Sequence, residues 1–331
     1  MITPHRSPAP SSDRPTARPG LRLLLSVAAL AIAVPAAAQP APFTVGPVTA
    51  APGTIVSGTL RVAARAGDEG TTIPISVAHG AKAGPVLALV AGTHGFEYPP
   101  ILALQRFRAS LDPTTLAGTV IMVHVANMPS FLARTIYYSP VDGQNLNRVF
   151  PGKADGTLSE RIADVITREV ITPATAVVDL HCGDGNEDLR PYSYWITTGP
   201  PAVTRGKPAL TIESGYMGLV DEASIAQIEH GIAGLLRHLG MRPDGPAPVE
   251  HPIWIERSEV LTAGATGLFY AAVEKGHTVA EGTVIGHITD FHGRTLETIR
   301  APFAGEILYV VGTPPITKGE PVGFVGQVKR D

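Results

Sequence analysis

The sequence predicts an α/β protein built on a mixed, largely parallel sheet flanked by helices, followed by a small all-β part. Three observations predict it. Apolar runs of strand length alternate with helix-patterned stretches up to about residue 243. A Gly- and Pro-rich linker follows, with Gly240, Pro243, Gly245 and Pro246. Beyond it, residues 252–329 hold short strand-like runs between Gly turns and no helical period.

The elements follow in order. Residues 40–70 read as an irregular lead-in with a short strand at Thr59–Val62, and Thr72–Val77 alternates as a strand. Pro85–Val90 is a continuous apolar run of buried-strand type, and Gly92–Glu97 is a loop before a helix over Pro99–Ser110. Thr119–Val125 is a further strand. Residues 127–153 mix Pro, Gly and Asn without a period and read as a long loop of functional kind. Thr157 and Glu160 form a capping box opening a helix to about Val170. Strands are expected at Ala176–Leu180, Tyr192–Ile196 and Ala209–Ile212. Ile225, Ile228, Ile232, Leu235 and Leu239 recur at helical spacing over Glu222–Leu239.

Of the 331 residues, 44% are hydrophobic and the net charge is −3, which excludes disorder as the dominant state. A pI near 6.4 with scattered Lys and Arg excludes a nucleic-acid partner of the basic-face type. The single cysteine excludes an internal disulfide framework and a Cys-based zinc finger.

Residues 1–38 carry the order of a secretory signal. Arg6, Arg14 and Arg18 precede an apolar stretch from Leu23 to Pro35, and Ala36-Ala37-Ala38 offers small residues for cleavage. The apolar stretch is too short to span a bilayer, so no membrane span is expected after cleavage. The expected product is periplasmic or secreted. Loss of four Arg and one Asp with the signal takes the net charge from −3 to −6. The organisation expected is a signal peptide at 1–38, a catalytic domain at 39–243 and a C-terminal β domain at 244–331.

The chemistry gathers in four motifs. Gly92-Thr93-His94-Gly95-Phe96-Glu97 follows a buried strand, and a His and a Glu three residues apart on a loop can both turn onto one ion. Imidazole and carboxylate suit Zn²⁺, which in catalytic sites takes three protein ligands and keeps an open position. Val178-Asp179-Leu180-His181 offers a third ligand at another strand end, and strand ends of open α/β sheets gather along one edge. Asp142-Gly143-Gln144-Asn145-Leu146-Asn147-Arg148 places a guanidinium fork beside an amide, able to grip a carboxylate or polarise a carbonyl. In Thr211-Ile212-Glu213-Ser214-Gly215 a carboxylate emerges at a strand end, where it can take a proton from water and pass it to a leaving amine. Asp179 is expected to face away from the ligand, and Cys182 to be inert. His124 is expected to have a structural or surface role.

"GTHGFE", "DGQNLNRVFPG", "VVDLHCGD" and "LTIESG", in this order, resemble the succinylglutamate desuccinylase/aspartoacylase family of zinc carboxypeptidase-like hydrolases over roughly residues 70–329. The resemblance implies a zinc-carboxypeptidase-like fold. It implies one Zn²⁺ per chain held by His94, Glu97 and His181, with Glu213 and Arg148 catalytic and Asn147 and Arg148 on the substrate. Where the named enzymes carry an arginine in a "TRY" segment, this chain reads Thr135-Ile136-Tyr137-Tyr138. Arg134, just upstream, is expected to take that arginine's place in substrate binding. The C-terminal turns "EKGHTVAEGTVIGHI" resemble the hairpins of lipoyl-type barrel-sandwich domains.

The resulting expectation is an exported zinc-dependent hydrolase that cleaves an amide in an N-acyl amino acid or short peptide-like compound. Its partner is a small carboxylate-bearing substrate, and a homo-oligomer is compatible with the sequence. An ester hydrolase using the same site and a non-catalytic periplasmic carboxylate-binding protein are the alternatives.

Overall fold

Lys82–Ala91, the most apolar stretch of the α/β part, forms strand β5 at the centre of a seven-stranded sheet in the computed structural model. The structure describes residues 40–195, 200 and 206–329. The export signal expected at 1–38 and Ile196, the end of one expected strand, lie outside the described residues.

The chain opens with a hairpin of β1 (Phe43–Val45) and β2 (Val48–Ala50). The large sheet then takes β3 (Thr54–Val62), β4 (Thr71–His79), β5, β6 (Ala117–Val123), β7 (Ala176–His181), β9 (Tyr192–Tyr194) and β10 (Ala209–Glu213). Its order is β3-β4-β6-β5-β7-β10-β9. The central β6, β5, β7 and β10 run parallel, and antiparallel pairs close both edges.

The period of two along β5 sorts its side chains between two cores. Ala88 and Val90 face Ile162 and Ile166 of helix α3 (Leu158–Ile166). Leu87 and Leu89 face α1 (Tyr98–Ser110) and α4 (Glu222–His238) through Leu104, Phe107, Ile228 and Ile232. Each of these fully buried Leu, Ile or Phe side chains contributes about 1.5–3 kcal/mol. The capping box forms at α3, with Thr157 accepting from Glu160 N–H and Glu160 accepting from Thr157 N–H. The helix gives way to a π-turn over Thr167–Ile171. The 127–153 segment is more ordered than its composition predicts, holding α2 (Met128–Ala133) and a 3₁₀ turn (Leu146–Arg148). Elements this short leave no apolar period to read.

The strands after the linker, β11 (Ile255–Thr262) to β18 (Pro321–Val328), form two antiparallel sheets. Phe269, Ile285, Ile288, Val310, Val322 and Val325 fill the core between them. One strand from the α/β part joins this layer: β8 (Glu187–Leu189) pairs with β16 (Gly305–Val311). Salt bridges Arg190–Glu306 and Lys275–Asp188 lie across the same junction. Among the described residues, no helix is long and apolar enough to cross a membrane.

Candidate active site

The parallel strands end along one edge, and three of them deliver the predicted residues there. His94 and Glu97 follow β5, His181 ends β7 and Glu213 ends β10, where Glu213 is the register partner of His181. All four are buried.

Glu97 is the N-cap residue of α1, yet its carboxylate makes no capping bond. It turns instead to the two imidazoles: Oε1 lies 2.7 Å from Nδ1 of His94 and 3.0 Å from Nδ1 of His181. The helix tolerates this because Pro99, in its first turn, has no N–H to cap. One donor atom from each of the three residues lies within 4.8 Å of the others. Glu97 Oε2 is buried without a hydrogen-bond partner. Burial opposes charge on Glu97, but the two imidazoles outweigh it and hold its carboxyl well below the usual range. Burial likewise opposes charge on His94 and His181, but nearby carboxylates raise both pKa values. Two imidazole nitrogens, a carboxylate and an orphaned oxygen converging on one point fit a zinc ion.

Asp179 corrects the expectation that it faces away. Its Oδ2 lies 2.9 Å from Nε2 of His181. Residues two apart on a strand share a face, so Asp179 belongs beside the ring it precedes. Cys182 is buried, and burial, followed by the surrounding carboxylates, raises its thiol pKa, so the group stays protonated and unreactive.

Glu213 receives a hydrogen bond from the Tyr194 hydroxyl at 3.0 Å. Burial pushes its pKa up to about 8, with His181 opposing and the Glu97 and Glu187 carboxylates adding to the rise. Asn147 and Arg148 sit on the 3₁₀ turn and line the same cavity as His94, Glu97, His181 and Glu213. Buried Asn147 leaves its Oδ1 unpaired, while Arg148 is exposed. Arg134 is not brought there. It is exposed, caps α2 in a left-handed conformation (φ 53°) and does not line the cavity.

Several cavity residues went unassigned in the sequence. Asn145 Oδ1 lies 3.1 Å from Nε2 of His94. Tyr137, also left-handed (φ 57°), stacks edge-on against His94 and donates its hydroxyl to Glu187 at 2.9 Å and Asn186 at 3.0 Å. Asp184 accepts the Tyr137 N–H at 2.9 Å. Burial raises the pKa of Asp184 to about 6 and of Glu187 to about 7, so this corner holds carboxyls that titrate near neutrality. The acidic run after "DLHC" was the available signal.

Residues 83–195 match the family model for the succinylglutamate desuccinylase/aspartoacylase catalytic domain. An N-alpha-acetyl-L-2,4-diaminobutyric acid deacetylase from Halomonas elongata is 32% identical over 257 residues, covering 66% of this chain and 74% of that one. Among solved structures, a succinylglutamate desuccinylase/aspartoacylase from Rhodobacter sphaeroides superimposes with a TM-score of 0.74 at 25% identity, covering 85% of this chain and 97% of that one. The product-bound ectoine utilization protein EutE (DoeB) from Ruegeria pomeroyi gives 0.74 at 25% identity, covering 83% and 95%. The paired imidazoles, the misdirected N-cap carboxylate and the strand-end glutamate thus sit in a chain that belongs to the succinylglutamate desuccinylase/aspartoacylase family.

Proposed function

We propose that the protein is an exported zinc-dependent amidohydrolase that removes the acyl group from an N-acyl amino acid. Membership of a family whose members are named as deacylases supports hydrolysis. The observation that carries the reading is the meeting of His94, Glu97 and His181 donor atoms, with Glu213 the register partner of His181 on the neighbouring strand. The basic, apolar, small-residue order of residues 1–38 supports export.

His94, Glu97 and His181 would hold the metal. When bound, zinc supplies Lewis acidity, which makes water easier to deprotonate near neutral pH and polarises the scissile carbonyl. Glu213 takes the proton on a carboxylate oxygen as water adds, then delivers it to the amide nitrogen as the C–N bond breaks. A carboxyl raised to about 8 holds a proton well enough to deliver it, and a bound dication would favour its ionised, proton-accepting form. Tyr194 fixes the Glu213 carboxylate through its hydroxyl. Arg148 binds the substrate carboxylate or the developing oxyanion, and the Asn147 amide beside it supplies a second polar contact.

Metal analysis of purified protein and of Glu213→Gln tests the reading. About one zinc per chain is expected in both, with turnover of an N-acyl amino acid lowered about 10²–10⁴-fold in the variant. Near-wild-type turnover in zinc-loaded Glu213→Gln would overturn the acid/base role. Unchanged zinc in His94→Ala would overturn the ligand set.

A further inference from the structure

The cavity above the candidate metal centre encloses about 1470 Å³, beyond the roughly 300–1,000 Å³ of ordinary ligand pockets. Its polar lining includes Asn145, Arg148, Arg190, His251 and Glu306 besides His94, His181 and Glu213. The same lining holds a large apolar and aromatic share, with Tyr192, Phe324, Trp195, Val249, Ile253 and Trp254. The last four are exposed by 77%, 76%, 59% and 56% respectively. Four large apolar side chains left open to water around one cavity mouth mark a surface that gains by being covered.

Charge narrows what covers it. Among the described residues, two guanidinium groups line the cavity, Arg148 and Arg190, and Glu306 pairs with Arg190. Among the described residues, Arg148 has no carboxylate partner. Glu97, Glu187, Glu213 and Glu306 also line the cavity, so Arg148 is the one lining guanidinium among the described residues left for a substrate carboxylate.

We propose that the substrate is an N-acyl amino acid with a single carboxylate, held at Arg148, and a bulky apolar group seated on the aromatic wall. This rests on the hydrolase reading for its scissile amide. The apolar group is either a long acyl chain or a large side chain, and the same wall chemistry recognises both.

The chain contains only two tryptophans, Trp195 and Trp254, and both line the cavity, so their emission reports its occupancy. Zinc-loaded Glu213→Gln would be titrated with N-octanoylglycine, N-acetyl-L-phenylalanine, N-acetylglycine and N-succinyl-L-glutamate. The same compounds would be assayed for hydrolysis by the wild type. The octanoyl compound, the phenylalanine compound or both should shift the emission to the blue and bind at least tenfold more tightly than the other two. A shift with octanoylglycine alone assigns the wall to the acyl chain, and one with the phenylalanine compound alone assigns it to the side chain. Trp254→Ala should raise KM for the better apolar substrate at least fivefold more than it raises KM for N-acetylglycine.

Tightest binding and fastest turnover with N-succinyl-L-glutamate would overturn the proposal and leave the hydrolase reading standing. Tight apolar binding without turnover of any compound would overturn the hydrolase reading and leave the apolar site standing. Tryptophan emission of the free protein that moves with protein concentration would assign the rim to a second copy of the chain and overturn the proposal.

Discussion

Oδ2 of Asp179 lies 2.9 Å from Nε2 of His181, while Nδ1 of the same ring lies 3.0 Å from Oε1 of Glu97. One imidazole is therefore addressed at both nitrogens by buried carboxylates. A ring that binds metal through Nδ1 keeps its proton on Nε2, and a carboxylate on that side fixes the tautomer and strengthens the donor. Asp179→Asn should lower zinc affinity about 10–100-fold, the usual effect of removing such a partner. Competition against a fluorescent chelator measures it. Unchanged affinity would leave Asp179 with a purely structural role.

The loop carrying His94 and Glu97 passes so close to its neighbours that residue 95 has no room for a side chain. A Cβ on Gly95 would collide with the carbonyl oxygens of Ser130 and Thr135, which are backbone atoms and cannot swing aside. Gly95→Ala should cost about 1–3 kcal/mol of stability through overpacking. Because the displaced atoms lie between the two ligands in sequence, zinc content should fall with it. Urea denaturation and metal analysis of the folded fraction separate the two effects.

Legibility in the sequence followed the range of the contacts. Strands β5, β6 and β7 are visible because burial on both faces leaves continuous apolar runs. The capping box of α3 is a local bond between residues three apart, and it formed as read. The ligand motifs were visible because each pairs a strand end with a metal-binding residue type. Asp179 was misread although the information was local: the period of two places it on the ligand's face. Arg134 is expected to replace the family arginine because it lies just upstream of Thr135-Ile136-Tyr137-Tyr138, but the left-handed cap of α2 leaves it on the surface. The bond from Tyr137 to Glu187 joins residues 50 apart, and the pairing of β8 with β16 spans more than 100 positions. No periodicity encodes such contacts.

The Tyr137 hydroxyl donates to Glu187, lies 3.0 Å from Oδ1 of Asn186 and ties the acidic corner to a ring packed edge-on against His94. Tyr137→Phe keeps the ring and removes that donor. A carboxylate deprived of a partner inside the protein costs about 1–3 kcal/mol. The variant should lose stability in that range at pH above 7, where Glu187, with a pKa of about 7, is ionised. The loss should shrink below pH 6, where the protonated carboxyl no longer needs a donor. Denaturation midpoints of wild type and variant at pH 8 and pH 5.5 check the difference, and an equal loss at both would show that ring packing dominates.

His124, buried just past the end of β6, titrates in the opposite sense to an ion-paired histidine. Its Nε2 lies 2.8 Å from Oγ of Ser76, and its Nδ1 has no hydrogen-bond partner. Burial, aided by the Arg108 charge, pushes its pKa down from 6.5 to about 4. Between these values the unfolded chain binds the proton and the folded chain does not, so stability falls as pH drops. The contribution is complete above pH 6.5 and is lost on acidification toward pH 4, amounting to about 3 kcal/mol in all. In chelator-treated protein, where metal release adds nothing to the slope, the wild type should lose up to about 1.4 kcal/mol per pH unit from this group. His124→Asn should flatten the stability profile between pH 6.5 and 4 by that amount, whatever its stability at pH 7. Urea midpoints at half-unit intervals provide the measurement, and parallel profiles for the two proteins would show that His124 takes up its proton in the folded state as readily as in the unfolded one.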